Sequence, residues 1–204
     1  FDVAICDFLS ASLNFPQSAN TPAVLFQHNV ESALWQRQAH HESNPIKRLV
    51  FKLEAFKMLR YERAAVRRFN HVIAVSENDR QLMSDMTDSS RISIVPTGVD
   101  LSEYALVSRQ EPSQGRNPLV LFVGSMDWEA NIDGVDYFCR EIWPEVLAEM
   151  PGAKFRIVGR NPPPRIKRLA SDSVEVTGRV PSIVPHLHEA MVFVVSLRVG
   201  GGTR

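Results

Sequence analysis

Apolar residues along the chain fall into short unbroken runs, separated by longer stretches in which they recur every three or four positions. The runs at 2–8 (DVAICDF), 23–28 (AVLFQH), 71–76 (HVIAVS), 92–95 (ISIV), 119–124 (LVLFVG), 154–158 (KFRIV), 174–177 (VEVT) and 191–196 (MVFVVS) predict strands. Most are continuous rather than alternating, as strands covered by helices on both faces should be. Helical spacing predicts helices over 45–69, 77–86, 132–149, 164–170 and 182–190. In the first of these Leu49, Val50, Leu53, Phe56, Leu59 and Val66 keep the period, among Lys47, Arg48, Lys52, Lys57, Arg60, Arg63, Arg67 and Arg68. Repeated strand–helix–strand order predicts an α/β fold with largely parallel sheets.

Residues 101–118 (LSEYALVSRQEPSQGRNP) break this rhythm. They are polar, hold two prolines and a glycine, and show no period. They read as a connection, with a linker at 108–118 dividing a domain over 1–107 from one over 119–204. Each side then has about four strands, fewer than a doubly wound domain usually has. Both domains are therefore expected to be incomplete, the first at its N-terminal side and the second at its C-terminal side.

Composition narrows the class further. Among 204 residues, 44% are hydrophobic and 23% charged, as in ordinary globular proteins. Twenty-three basic residues balance twenty-three acidic ones, so no global field recruits nucleic acid. The basic helix over 45–69 stands out locally, either as a solvated face or as an attraction for anionic lipid. Cys6 and Cys139 are far apart in apolar surroundings, which argues against a disulfide framework and for a reducing cytoplasm. No apolar run approaches the roughly 18 residues needed to span a bilayer. The opening FDVAICDFL places an acid where the basic region of a signal peptide would stand.

In parallel α/β sheets, ligands sit beyond the carboxyl ends of the strands, where backbone amides and helix N-termini face the opening. Four strands of the second half end in small residues followed by polar groups: GSMDWEANIDG, GRNPPPR, GRVPS and SLRVGGGTR. Singly each is a plain turn; together they outline one rim for a ligand. The triple glycine Gly200, Gly201 and Gly202 leaves amides able to wrap a phosphate. Thr203 adds a hydroxyl and Arg204 a planar cation. Neither a Walker loop nor a GxGxxG is present. In the first half, His28 emerges from an apolar strand and is followed by polar Asn29 and Glu31. It is either a buried structural histidine or a catalytic one. His186 and His188, two apart in a predicted helix, make a poor metal pair.

The ordered set FNHVIAVSENDRQLM, ISIVPTGVDLSEY, LVLFVGSMDWEANIDGVDYF, FRIVGRNPPP, VEVTGRV and VVSLRVGGGTR resembles the group 1, or family 4, glycosyltransferases of the GT-B fold. The likeness covers nearly the whole chain. The GSMDW and RVGGGTR variants are similar to a branch linked to exopolysaccharide and cell-envelope sugar transfer. The resemblance implies two facing Rossmann-like domains, with a nucleotide-sugar donor mainly on the second and a glycan or lipid-linked acceptor mainly on the first. It implies that His28 faces the donor sugar. It places Gly124, Ser125 and Gly200–Arg204 at the diphosphate, and Gly159, Arg160, Arg179 and Val180 at the nucleobase and ribose. It also implies retaining transfer without metal or other cofactor, in the cytoplasm or at the inner face of the membrane.

Two departures stand out. Members often carry an Arg after the first loop glycine and a Lys a little later; here those places hold Ser125 and residues such as Asn131. The Glu-x7-Glu element is incomplete: its first position falls near Gly201 and its second past Arg204. Negative charge on the departing diphosphate is then expected to be met by Arg204 and the Gly200–Thr203 amides. Two alternatives remain at this point: a nucleotide-sugar epimerase of the same fold, which would need an acid–base carboxylate pair, and a non-catalytic nucleotide-binding module.

Overall fold

A computed structural model describes residues 1–16, 21–102, 104 and 117–200. The chain forms two units, Phe1–Val99 together with the segment from Val199, and Asp100–Arg198. The linker expected at 108–118 lies outside the described residues except for Asn117 and Pro118.

The first unit is built on four parallel strands, β1 (Ala4–Asp7), β2 (Ala23–Gln27), β3 (His71–Ala74) and β4 (Ile92–Ile94), paired in chain order. A 3-10 turn over Leu9–Leu13 joins β1 to β2. A hairpin of α1 (Glu31–His41) and α2 (Pro45–Arg68) joins β2 to β3, and α3 (Glu77–Ser84) joins β3 to β4. Local chemistry sets the starts of two helices. Pro45 opens α2 behind Asn44, whose side chain accepts from the amides of Ile46 and Lys47. Ser76 accepts from the Asp79 amide at the start of α3. The core packs Leu25, Val66, Phe69, Val72 and Met83 between sheet and helices.

Two findings here depart from the sequence reading. Helix α1 was not signalled by the pattern, because Val30 at its start offers no side-chain cap. Its free amides are met instead by Glu62, which comes from α2. In α2 the apolar residues do not share one buried face. Val66 is buried and Leu59 half-buried, whereas Leu49, Val50, Leu53 and Phe56 are exposed.

The second unit carries β5 (Leu119–Val123), β6 (Lys154–Val158), β7 (Val174–Gly178) and β8 (Val192–Phe193), all parallel, in the order β7-β6-β5-β8. Its helices are α4 (Glu129–Tyr137), α5 (Trp143–Glu149), α6 (Pro164–Lys167) and α7 (Val184–Glu189). The single helix expected over 132–149 is interrupted by a π-helical segment, Phe138–Ile142. Pro144 explains the break, since its ring lacks an N–H and clashes with the carbonyl four residues back. The core centres on Phe138, Trp143 and Phe155, with ring centroids 4.7 to 6.2 Å apart. The Trp143 indole N–H donates to Ser173 Oγ at 3.1 Å. Both cysteines are free, and burial pushes the Cys139 thiol up to about 12.

Candidate functional site

At the carboxyl end of the first sheet, four side chains from two adjacent strands and the residues just after them converge. β1 ends at Asp7, and the next residue, Phe8, turns out of the sheet with φ 68 and ψ 148. Its amide still donates to the Phe26 carbonyl at 3.0 Å, which pins the turn to β2. The Phe8 ring stacks on the His28 imidazole, centroids 4.1 Å apart and planes 15° apart. Phe26 lies against the same imidazole at 4.5 Å. His28 Nε2 sits 2.7 Å from Asp7 Oδ1. An Nε2–H there donates to the carboxylate, which orients the ring. The histidine is therefore held in place, 26% exposed, at the rim of its sheet.

Behind it stands a buried carboxylate. Glu62 has no exposed surface, and it accepts from the Glu31 amide (2.8 Å), the Ser32 amide (3.1 Å), the Ser32 hydroxyl (2.5 Å) and the Gln27 side-chain amide. Burial pushes its carboxyl above the usual carboxylate range, and these bonds oppose the shift only in part. Gln27, the residue before His28, is 1% exposed, and its Oε1 has no hydrogen-bond partner among the described residues.

The second sheet finishes its rim differently. The direction of winding reverses between β5 and β8, and such a switch point is where parallel α/β sheets bind their ligands. Beside it β5 and β6 end in glycines that touch: a Cβ built on Gly159 would lie 1.9 Å from the Gly124 carbonyl oxygen. Only a residue without a side chain fits there. The next residues knit the two loops together. Arg160 Nε donates to Ser125 Oγ (3.0 Å) and pairs with Asp127 (2.8 Å). Asn161, at φ 54, donates to Asp127 Oδ1 at 2.9 Å. Asn131 on α4 donates to the Ser125 carbonyl at 2.7 Å. Bonds from Asn161 and then Ser125, together with the charge of Arg160, hold the Asp127 carboxyl below the usual range.

β7 joins this edge through Gly178, whose φ of 74 is a left-handed conformation and whose carbonyl accepts from the Gly159 amide at 3.2 Å. Arg179, exposed, and Val180, half-buried, follow directly. After β8 the chain is fastened to α4. Ser196 Oγ donates to the Gly134 carbonyl at 2.8 Å, and Arg198 forks onto Asp133 while lying 4.7 Å over the Tyr137 ring. Gly200 groups with the first unit, where its carbonyl accepts from the Arg37 guanidinium.

Of the residues singled out from sequence, Gly124, Ser125, Gly159 and Arg160 are thus brought into contact, with Arg179 and Val180 next to them across Gly178. His28 stands on the other sheet. Gly201, Gly202, Thr203 and Arg204 lie outside the described residues. Sequence reasoning missed Asp7 and Phe8, although they close a predicted strand at its carboxyl end, and it did not single out Asp127 and Asn161 within two loops it had already chosen. Among the described residues no three His, Cys, Asp or Glu side chains gather as metal ligands. None of the described helices is long and apolar enough to cross a membrane.

Residues 2–103 match the family profile described as Glycosyltransferase Family 4, and residues 117–204 the profile described as Glycosyl transferases group 1. In structure the chain is similar to TarM, at 17% identity and a TM-score of 0.58 over 94% of this chain and 35% of TarM. It is similar to Anabaena HepE, solved in complex with UDP and glucose, at 16% identity and a TM-score of 0.61 over 95% of this chain and 52% of that one. A third likeness is to α,α-trehalose 6-phosphate synthase from Burkholderia multivorans, at 13% identity and a TM-score of 0.60 over all of this chain and 52% of the synthase. The chain therefore spans about a third to a half of the length of these proteins. At such identities the likeness shows the fold, two Rossmann-like halves of the GT-B type. No curated protein sequence matches the chain.

Proposed function

Since the chain belongs to the group 1 glycosyltransferases, we propose that it is the core of an enzyme moving a sugar from a nucleotide-diphosphate-sugar donor to a glycan or lipid-linked acceptor. The observation that supports this reading is the meeting of the glycine-ended loops after β5 and β6 beside the switch point of the second sheet. Glycine-ended loops at the carboxyl edge of a parallel sheet present backbone amides to a phosphate group.

In this reading the Gly124–Ser125 turn and the Gly200–Arg204 segment receive the diphosphate. Gly159, Arg160, Arg179 and Val180 line the nucleobase and ribose. Breaking the sugar–phosphate bond puts negative charge on the departing diphosphate, and fixed amides and guanidinium groups stabilise charge that develops in the transition state. Arg204 and the Gly200–Thr203 amides take that duty, while Arg160, held by Asp127 and Ser125 with its side chain 61% exposed, adds a guanidinium to the neighbouring rim. His28, fixed by Asp7 and Phe8, acts on the donor sugar. The transfer is read as retaining and metal-independent, within polysaccharide or cell-envelope synthesis. The full protein would work in the cytoplasm or peripherally at the inner face of the membrane, and not on nucleic acid.

The test is to incubate the full-length protein with a panel of nucleotide sugars and candidate acceptors, with and without EDTA. Transfer with retained anomeric configuration, unaffected by EDTA, is expected. Epimerised donor without transfer would instead establish the epimerase reading, and binding without turnover the non-catalytic one.

A further inference from the structure

The first half of α2 is turned inside out. At about 100° per residue, Ile46, Leu49, Val50, Leu53 and Phe56 fall within an arc of about 120° on the helix surface. The buried residues Ala55, Glu62, Ala65 and Val66 lie on nearly the opposite side. The five apolar side chains are exposed by 75%, 60%, 47%, 54% and 59% respectively. A helix that folds against its own core puts such a stripe inward. Here the stripe leaves the inward face to small residues and a carboxylate, and points to solvent.

The charges around it have one sign. α2 carries eight Lys and Arg against two acids, in a chain whose net charge is zero. One acid, Glu62, is buried; the other, Glu54, lies outside the apolar arc and is paired with Lys57 at 2.8 Å. Lys57 and Arg60 stand within the arc, the latter 5.9 Å from the Phe56 ring, and Lys52 and Arg63 run along one margin. A groove of about 510 Å³ along that margin, between α1 and α2, is lined by His40, Arg48 and Lys52 over Phe56 and Leu59.

We propose that this face of α2 seats the first unit on an anionic lipid bilayer, its apolar arc in the headgroup–acyl boundary and its cations among the lipid phosphates. An interfacial helix has this make-up: large apolar residues on one side and long Lys and Arg side chains reaching past them to the headgroups. A second copy of the chain is a poor occupant, because the face would set cation against cation. An acidic protein groove is also a poorer fit. Lys57 and Arg60 sit inside the apolar arc, so a rigid partner would have to strip their water, whereas mobile lipid anions can gather around them. The proposal deepens the peripheral-membrane part of the function above and makes no use of sugar transfer.

The test is sedimentation of the full-length protein with vesicles of phosphatidylcholine alone or mixed with phosphatidylglycerol, in the absence of nucleotide sugar. Wild type is expected to bind the mixed vesicles, less so as salt rises. Leu53→Glu with Phe56→Glu is expected to weaken the partition at least about tenfold, since both charges must be carried into the boundary. Lys52→Glu with Lys57→Glu is expected to abolish the preference for phosphatidylglycerol. These positions are exposed, so unchanged thermal unfolding shows that the variants fold. Equal sedimentation by all three proteins, or none by wild type, overturns the proposal. So does a wild-type dimer in light scattering that Leu53→Glu dissolves. Such failures leave transfer to soluble acceptors intact, whereas failure of the function reading abolishes transfer and leaves vesicle binding intact.

Discussion

Both sheets consist of four parallel strands, yet they present different chemistry at the same end. The first adds its strands in chain order and has no reversal. The feature at its rim is a side chain, His28, gripped by Asp7, Phe8 and Phe26. The second sheet reverses between β5 and β8. There the chain ends β5 and β6 in glycines, Gly124 and Gly159, whose backbones touch, instead of aiming a side chain. One rim thus holds a functional side chain, and the other ends in close-packed backbone. In the proposed reading the first serves the sugar and the second the diphosphate.

Substitutions can break this contrast. The largest effect is expected from Gly159→Ala, whose Cβ would fall 1.9 Å from the Gly124 carbonyl. The second unit should lose about 3 kcal/mol or more, read by urea unfolding through Trp143 fluorescence. A midpoint equal to that of wild type would mean that the strand ends can part, and that bare backbone is not enforced there.

Behind the other rim, Glu62→Ala would strand the Glu31 and Ser32 amides, the Ser32 hydroxyl and the Gln27 side chain. A loss of about 3 kcal/mol in the first unit is expected. Glu62→Gln removes the titrating group, although it also turns one of the two accepting oxygens into a donor. The native state holds the Glu62 proton more tightly than the unfolded state does, because burial raises its pKa. Wild type should then be most stable relative to the Gln variant at low pH. That advantage should shrink as pH rises from the ordinary carboxylate range through the raised pKa. A pH-independent difference would mean that Glu62 titrates alike in both states.

Smaller in stability but sharp in function is His28→Ala. In the full-length enzyme kcat should fall about a hundredfold, with nucleotide affinity nearly unchanged, because the imidazole is assigned to the transition state and not to nucleotide binding. If kcat held while the melting temperature dropped, the first rim would be structural. Smallest of all is Asn161→Ala. The Asp127 carboxyl should titrate closer to the ordinary range by carbon-13 NMR, because the bond from Asn161 is the main cause of its lowered pKa. Stability to unfolding should fall only modestly, by about 1 kcal/mol, because alanine tolerates the φ of 54 less well than asparagine does.

Much of this fold was legible in the chain. Every strand expected from an apolar run is present, because such runs favour extended backbone whether one face or both are covered, although the last is shortened to the exposed pair Val192–Phe193. Helix α1 was not, since the group that satisfies its first amides is Glu62, 31 residues beyond Glu31. Pro144 was visible, but the period of 132–149 outweighed it. For α2 the period was right and its direction could not be read, because spacing gives a face without saying what that face meets. At the site, glycines at strand ends pointed to the second rim. Asp7 and Phe8 escaped because their significance lies in a neighbouring strand.

Phe8 carries an implication for how this sequence can change. Its backbone sits where a bulky residue is an outlier, at a cost of about 1–3 kcal/mol. Glycine would relieve that strain and in the same step strip the ring from His28. Drift filtered for thermal stability alone would therefore run toward glycine at this position. Mutational libraries sorted by stability and by turnover should diverge here, one enriching glycine and the other keeping the aromatic.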